Sequence, residues 1–427
     1  MLSPTIQQYK QAYSGLSKQT WLLSWIMLVN RSGTMVIPFL SIYLTSPKMG
    51  YSLSQAGFVF GLFGAGAFTG AYIGGRLTDK IGFHKIQLFT LTGGGLLFML
   101  LGQMKSYPLI CIFTFILSFV NEAFRPANST AIAFYSSEEN RTRSYSLNRL
   151  AINLGWAIGS AMGGVIAHYN YELLFWVDGI TNLAAAFLLY KLLTPSSQTI
   201  KKQTAVTSTV KATSAYKDKA YMWFIICSML FAACFFQLFT NFSVYLKKEQ
   251  AFSEPFIGLI MALNGVVIVL VEMILVYNLE KRKTPLRFVT IGVLLTGLFF
   301  CMLNLLHINH VTALSLIILI TLGEMLAMPF MNTFWIGRSN HTNRGQYAAL
   351  YTMAWSAAQT FGPMFGARVA DTSGFKTLFW MLAAVCVVAA TGFHFLLKQQ
   401  NNEQAEALNM QEQILEDEVA AAQDIAG

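Results

Sequence analysis

Several ionisable side chains fall inside runs that are otherwise apolar, and their types suit proton transfer and ion pairing. Glu324 sits in Leu322-Gly323-Glu324-Met325 and Glu272 in Val271-Glu272-Met273, with no Lys or Arg three or four residues from either. A carboxyl taken out of water without a cation favours its protonated form, so its proton exchanges nearer neutral pH. Glu122 and Arg125 stand three apart in Asn121-Glu122-Ala123-Phe124-Arg125. On a helix they share a face and can pair. Arg31 lies in Asn30-Arg31-Ser32-Gly33. Charges in such surroundings are costly and usually face a cavity. Glu324, then Glu272 and Glu122, are therefore the candidate proton carriers. Asp178, near a segment end, reads as solvated, and Arg149, near another, as reaching out to water along its stem.

Polar amides in apolar runs are the next candidates. Asn30, Asn241, Asn264 and Gln359, with Arg31, Arg125 and the aromatic Trp355, are expected to line a cavity for a small molecule. His307 and His310 lack acid or cysteine partners, so no metal site is expected. No phosphate-cradling loop, nucleophile triad or cofactor fingerprint occurs. The only coupling agent expected is the proton. The N-x-[ST] matches at Asn128, Asn140, Asn241 and Asn340 are chance hits by position.

These residues need membrane-crossing elements to position them. Of 427 residues, 11% are charged and 55% hydrophobic, and the mean hydropathy is +0.50. Soluble domains carry about 25% charged residues. That contrast argues against a soluble enzyme, a disordered scaffold or a nucleic-acid binder. A span takes about 20 apolar residues. Twelve such runs are legible, at roughly 20–44, 54–77, 84–104, 107–135, 144–168, 172–193, 221–246, 255–278, 287–305, 312–336, 346–370 and 375–397. The five cysteines all lie within them and read as small hydrophobes. With the N-terminus inside, 20 Lys and Arg fall in inner loops and tails and 6 in outer loops. The positive-inside rule then puts both termini in the cytoplasm. The net charge of +9 is accordingly topological, and no nucleic acid is expected as a partner.

The chain divides into an N-terminal six-helix bundle (1–194), a polar linker (195–219), a C-terminal six-helix bundle (220–398) and an acidic tail (399–427) with seven acids and no base. For the tail, disorder is favoured over an amphipathic helix. A constant offset of 203 aligns Pro126 with Pro329, Asn140-Arg141 with Asn343-Arg344, Leu147 with Leu350, Gly159 with Gly362 and Gly163 with Gly366. Paired six-helix repeats are the architecture of rocking carriers with a site between the halves.

After the second run comes Gly74-Gly75-Arg76-Leu77-Thr78-Asp79-Lys80-Ile81-Gly82-Phe83-His84-Lys85. This loop resembles the signature G-x-x-x-D-[RK]-x-G-[RK]-[RK] of the major facilitator superfamily. Phe83 replaces one basic residue and His84 another. The resemblance implies gating roles for Gly75, Asp79, Lys80 and Gly82. Gly155, Gly159, Gly163 and Gly164 in span five are similar to that family's antiporter motif, with Ser160 in place of its proline. The proline reappears in span eleven, in Gly362-Pro363. Small residues let helices pack closely. A glutamate in span ten recurs in the family's proton-coupled drug exporters, which further favours Glu324.

The expected fold is thus an all-α membrane protein of twelve transmembrane helices in two pseudo-symmetric bundles. The expected function is proton-coupled secondary transport across the inner membrane by a monomer, exporting drug-like or amphipathic small molecules in exchange for protons. The alternative is symport for uptake, of peptides or another small metabolite. Arg31 sits where peptide carriers of the superfamily place an arginine, but Asn30 and Met27 stand where those carriers have glutamates. A third class, a non-transporting protein that kept the fold, has no physical need for buried carboxylates.

Overall fold

The structure is a computed structural model that describes residues 15–137, 141–193, 214–280, 285–339 and 344–426. Among the described residues every regular element is a helix. Spans 1 to 10 cover Lys18–Leu44, Leu53–Ile81, Phe83–Gln103, Tyr107–Tyr135, Arg141–Tyr169, Tyr171–Leu192, Lys219–Lys248, Glu254–Glu280, Pro285–Leu305 and His310–Arg338. The final helical stretch, Arg344–Ala426, is interrupted at Gly374, whose φ of 83° breaks the helix. Tyr347 before the break and Phe393 after it both pack on the start of span 7, against Tyr221 and Phe224. The chain therefore turns back at Gly374, and the stretch supplies spans 11 and 12. Among the described residues, eleven hydropathy-defined stretches thus make twelve crossings.

The helix after span 12 runs on to Ala426, where the sequence favours disorder. Ala, Gln, Glu and Leu are good helix formers, and extending an existing helix avoids the cost of a nucleus. Most of the linker, 195–213, and the repeated Asn-Arg pairs of the inner loops fall outside the described residues or have undescribed side chains. Large apolar side chains stay exposed around the bundle, among them Phe89, Leu270 and Phe395 at 66%, 62% and 65%. Water would penalise such a surface, whereas hydrocarbon does not.

Spans 1 and 7 are broken at matching depths, and the breaks shape the interior. Span 1 stops at Ser32 and restarts at Val36. The restart leaves backbone N–H groups that need acceptors. Asp178 of span 6 supplies them, accepting from the N–H of Met35 at 3.0 Å and of Val36 at 3.0 Å. Asp178 is fully buried, which corrects the expectation that it is solvated. The sequence places it eight residues into span 6, and only the packing shows which helix end it meets. Asn182, one turn on, accepts from Asn30 at 2.9 Å. Span 7 has the matching irregularity, a tight turn over Phe236–Phe239 between Lys219–Phe235 and Asn241–Lys248. Gln237 and Asn241 close it by donating to the carbonyls of Gly362 and Pro363 at 2.7 and 3.3 Å. The offset of 203 carries one break onto the other, so the repeat extends to backbone geometry.

Candidate functional site

The two breaks face one cavity of roughly 370 Å³ between the halves. The first half contributes Arg31 and Thr34 from the break in span 1, Phe60 and Phe63 from span 2, Glu122 and Arg125 from span 4, and Asn153 and Trp156 from span 5. The second half contributes Phe235, Phe236, Phe239 and Thr240 from the break in span 7, Asn264 from span 8, Glu324 from span 10, and Gln359 and Pro363 from span 11. An apolar, aromatic wall with a few polar groups and a volume of this order fits a small organic molecule.

Glu324 accepts a hydrogen bond from Asn264 Nδ2 at 3.1 Å, and the same amide reaches Thr321 Oγ1 at 2.9 Å. Among the described residues no cation forms an ion pair with Glu324. Glu122 and Arg125 pair at 2.9 Å on the opposite wall. Span 4 jogs at Ala123, between its Tyr107–Glu122 and Phe124–Tyr135 segments, and this turns the pair toward the cavity.

Four expected site residues stand elsewhere. Glu272 is not free of cations, because Arg149 of span 5 pairs with it across the halves. Spacing within one helix could not show a partner from the other half. The same pair means that Arg149 does more than reach for water. Asn241 is buried and engaged with Gln237 and Pro363, so it braces the break and does not line the cavity. Trp355 packs behind the wall, against Phe231, Phe235 and Phe236. Asn30 faces a smaller chamber of about 40 Å³ beside Arg31, shared with Asn121, Glu122 and Asn182.

The motif glycines set helix separations. A Cβ on Gly155 would come within 2.6 Å of Arg31 Cβ, and one on Gly159 within 2.9 Å of the Ser32 carbonyl. Gly163 faces Met35, and Gly164 packs against Glu254 and Gly258 of span 8. Gly362 meets Ala233 beside the second break. Of the loop residues, Gly82 takes a φ of 89° and ends span 2, Lys80 is exposed, and Gly75 would place a Cβ 3.8 Å from Pro126. The side chain of Asp79 lies outside the described set.

At the end of the bundle away from the termini, the halves are tied by residues that spacing does not single out. Tyr171 donates to Glu254 Oε1 at 2.6 Å, and Lys247 pairs with the same oxygen at 2.8 Å. Ser54 donates to Asp371 at 2.6 Å. Spans 2 and 11 touch at Gly57, Gly61 and Gly64. Further along those faces Phe68 and Tyr72, and Met353 opposite, are exposed at 39%, 56% and 39%. The halves are thus closed at the far end and part toward the end that carries the termini. Glu254→Ala removes the acceptor for both Tyr171 and Lys247. Spin labels at positions 48 and 250 should then show a larger share of long distances than in the unsubstituted protein. An unchanged distance distribution would mean that Glu254 does not hold the closure.

Asp218 ties the near ends of spans 7, 10 and 11. It accepts from Arg338 Nη2 at 2.9 Å, Tyr347 Oη at 2.7 Å and the N–H of Tyr221 at 3.1 Å. Burial pushes its carboxyl up, but the Arg338 guanidinium and these hydrogen bonds outweigh that and hold it below its ordinary value of 3.8. A depressed carboxyl stabilises the fold above its unfolded pKa, and the contribution is lost as pH falls through the folded one. Thermal stability should therefore fall on acidification below about pH 4, and the part due to this group should vanish in Asp218→Asn.

A sequence profile of the Major Facilitator Superfamily matches residues 20–358. The uncharacterized MFS-type transporter YttB of Bacillus subtilis is 26% identical over 374 residues, covering 85% of this chain and 91% of that protein. Multidrug resistance protein 2 of the same organism is 23% identical over 396 residues, covering 91% and 96%. The crystal structure of the nucleoside transporter NupG superimposes with a TM-score of 0.76 at 16% identity, covering 88% of this chain and 98% of that one. At that identity the superposition speaks for the fold alone.

Proposed function

This chain belongs to the Major Facilitator Superfamily, and from that premise we propose that it exports drug-like or other amphipathic small molecules in exchange for protons. It is a multi-pass membrane transporter and not an enzyme. The observation that carries the exchange is Glu324, which lines the cavity between the halves and is bonded there only to an amide among the described residues. With the charge bias of the loops, the open end faces the cytoplasm and both termini lie there. The membrane is the cell inner membrane and the working unit a monomer. Substrate entering from the cytoplasm displaces the proton of Glu324 and takes its place. The halves rock about the seams of spans 5 with 8 and 2 with 11. At the outer face a proton returns to the carboxylate and the substrate leaves. Competition for one group couples the fluxes, because each ligand biases the same two-state equilibrium.

In liposomes loaded with a pH-sensitive dye, substrate movement one way should drive protons the other way. Co-directional movement of protons and substrate would overturn the exchange. It would favour the second reading, symport for uptake of peptides or another small metabolite. Arg31 supports that reading, since proton exchange at Glu324 gives it no task.

A further inference from the structure

A separate group of titratable side chains stands outside the cavity, where the halves close on each other. Glu254 opens span 8 and is buried there. Its Oε1 takes both Tyr171 Oη at 2.6 Å and Lys247 Nζ at 2.8 Å. Its Oε2 has a third neighbour, His168 near the end of span 5, whose Nδ1 is 3.7 Å away. Tyr171 and His168 belong to the first half, Glu254 and Lys247 to the second. The imidazole thus faces the carboxylate across the seam between the halves.

The distance makes this contact depend on charge. At 3.7 Å a neutral ring forms no hydrogen bond with the carboxylate. An imidazolium is still attracted to it at that range. The backbones hold the two groups opposed. Gly164, one turn before His168, lies so close to span 8 that a Cβ on it would come within 2.5 Å of the Glu254 carbonyl oxygen. Parting spans 5 and 8 at this end therefore pulls His168 from Glu254. Side chains around the pair do not duplicate the switch. Tyrosine and lysine keep one protonation state between pH 5.5 and 8, whereas an ordinary imidazole titrates near about pH 6.5. Tyr169 sets its ring edge-on to His168 at 5.5 Å. Glu172, beside Tyr171, is engaged by Lys48 at 2.9 Å and Lys105 at 4.0 Å. His310 lies at the same end but packs on Phe252 and Phe256 of its own half, at 4.8 and 4.4 Å, and ties nothing across the seam.

We propose that His168 is a pH sensor of this closure: protonated, it pairs with Glu254 Oε2 and holds spans 5 and 8 together; neutral, it lets go. Below about pH 6.5 Glu254 then has two ties to the first half, His168 and Tyr171. Above it Tyr171 alone remains among the described residues. The added stability of the closed end is present at low pH and is lost as pH rises through the histidine's titration. His168 is half-exposed, so the acidity that it senses is that of the water at this end. The consequence for transport rests on the orientation in the exchange reading. There this end faces outward, and outside acid favours a return to the state open to the cytoplasm once substrate has left.

The test reads the closure itself. Spin labels at positions 106 and 306 sit on exposed loops of the two halves at this end. The full-length protein is placed in nanodiscs without substrate, with one pH on both sides. From pH 8 to pH 5.5 the ratio of short to long distances should rise about two- to fivefold more than in His168→Gln, the scale of a partly exposed ion pair. Titration of the carboxyls is common to both proteins, so the difference between them reports the ring. His168→Arg carries its charge at every pH and should show a high closed share at both. His310→Gln should keep the full response. No rise in the unsubstituted protein, an equal rise in His168→Gln, or a rise that is lost in His310→Gln would overturn the proposal. The readout involves no substrate and no proton flux. Loss of the exchange reading therefore leaves the sensor standing, and a closure indifferent to His168 leaves the exchange reading untouched.

Discussion

Glu324→Gln is expected to fold normally and to lose proton-linked transport, with coupled flux falling by about 100-fold or more, the scale set by deleting a proton-transfer group. The substitution keeps the size of the side chain. It also keeps an oxygen able to accept from Asn264 Nδ2, now 3.1 Å from the carboxylate. What it removes is the ability to take up and release a proton. Dye-loaded liposomes under an imposed pH gradient read this directly, and substrate-for-substrate exchange without a gradient supplies the control. Exchange should persist where gradient-driven movement fails, because exchange needs rocking but no net proton transfer. Unchanged gradient-driven transport would move the coupling role elsewhere. Glu272 is then the less favoured candidate, because Arg149 already engages it across the halves.

Asp178→Ala should give a large loss of stability, because this side chain holds the restart of span 1. The carboxylate is fully buried and accepts both N–H groups that open the second segment of span 1. Alanine leaves both without an acceptor in a place that water does not reach. An unsatisfied buried group costs about 1–3 kcal/mol, so about 2–6 kcal/mol follows for the pair. Thermal unfolding in detergent should show a clearly lowered midpoint. Asp178→Asn retains one accepting oxygen and should lose less. A midpoint equal to that of the unsubstituted protein would mean that the break is held by other contacts, such as Asn30 with Asn182.

The span count, the repeat and the family are legible in the sequence, because each rests on local chemistry. Apolar runs of membrane length can only be satisfied as helices. The offset of 203 survives in Pro126 and Pro329 and again in the two mid-span breaks. Even the turn at Gly374 agrees with a boundary between two apolar runs. Within the site, Glu324, Asn264, Gln359, Arg31, Arg125 and Glu122 were likewise readable as polar residues in apolar surroundings, and they do converge on one cavity.

Side-chain partnership was not readable. Sequence spacing reports neighbours three and four residues apart on one helix. The decisive partners come from other helices: Arg149 for Glu272, the restart of span 1 for Asp178, and Tyr171 with Lys247 for Glu254. Polarity also could not separate Asn264, which faces the cavity, from Asn241, which braces a break. Both are amides in apolar runs, and only the direction of the helix face tells them apart. The sequence by itself thus determined the solvent, the number of crossings and the twofold repeat, because burial in hydrocarbon constrains every residue locally. The tertiary structure decided which charges are compensated, and by which helix, because compensation is a property of distances between helices.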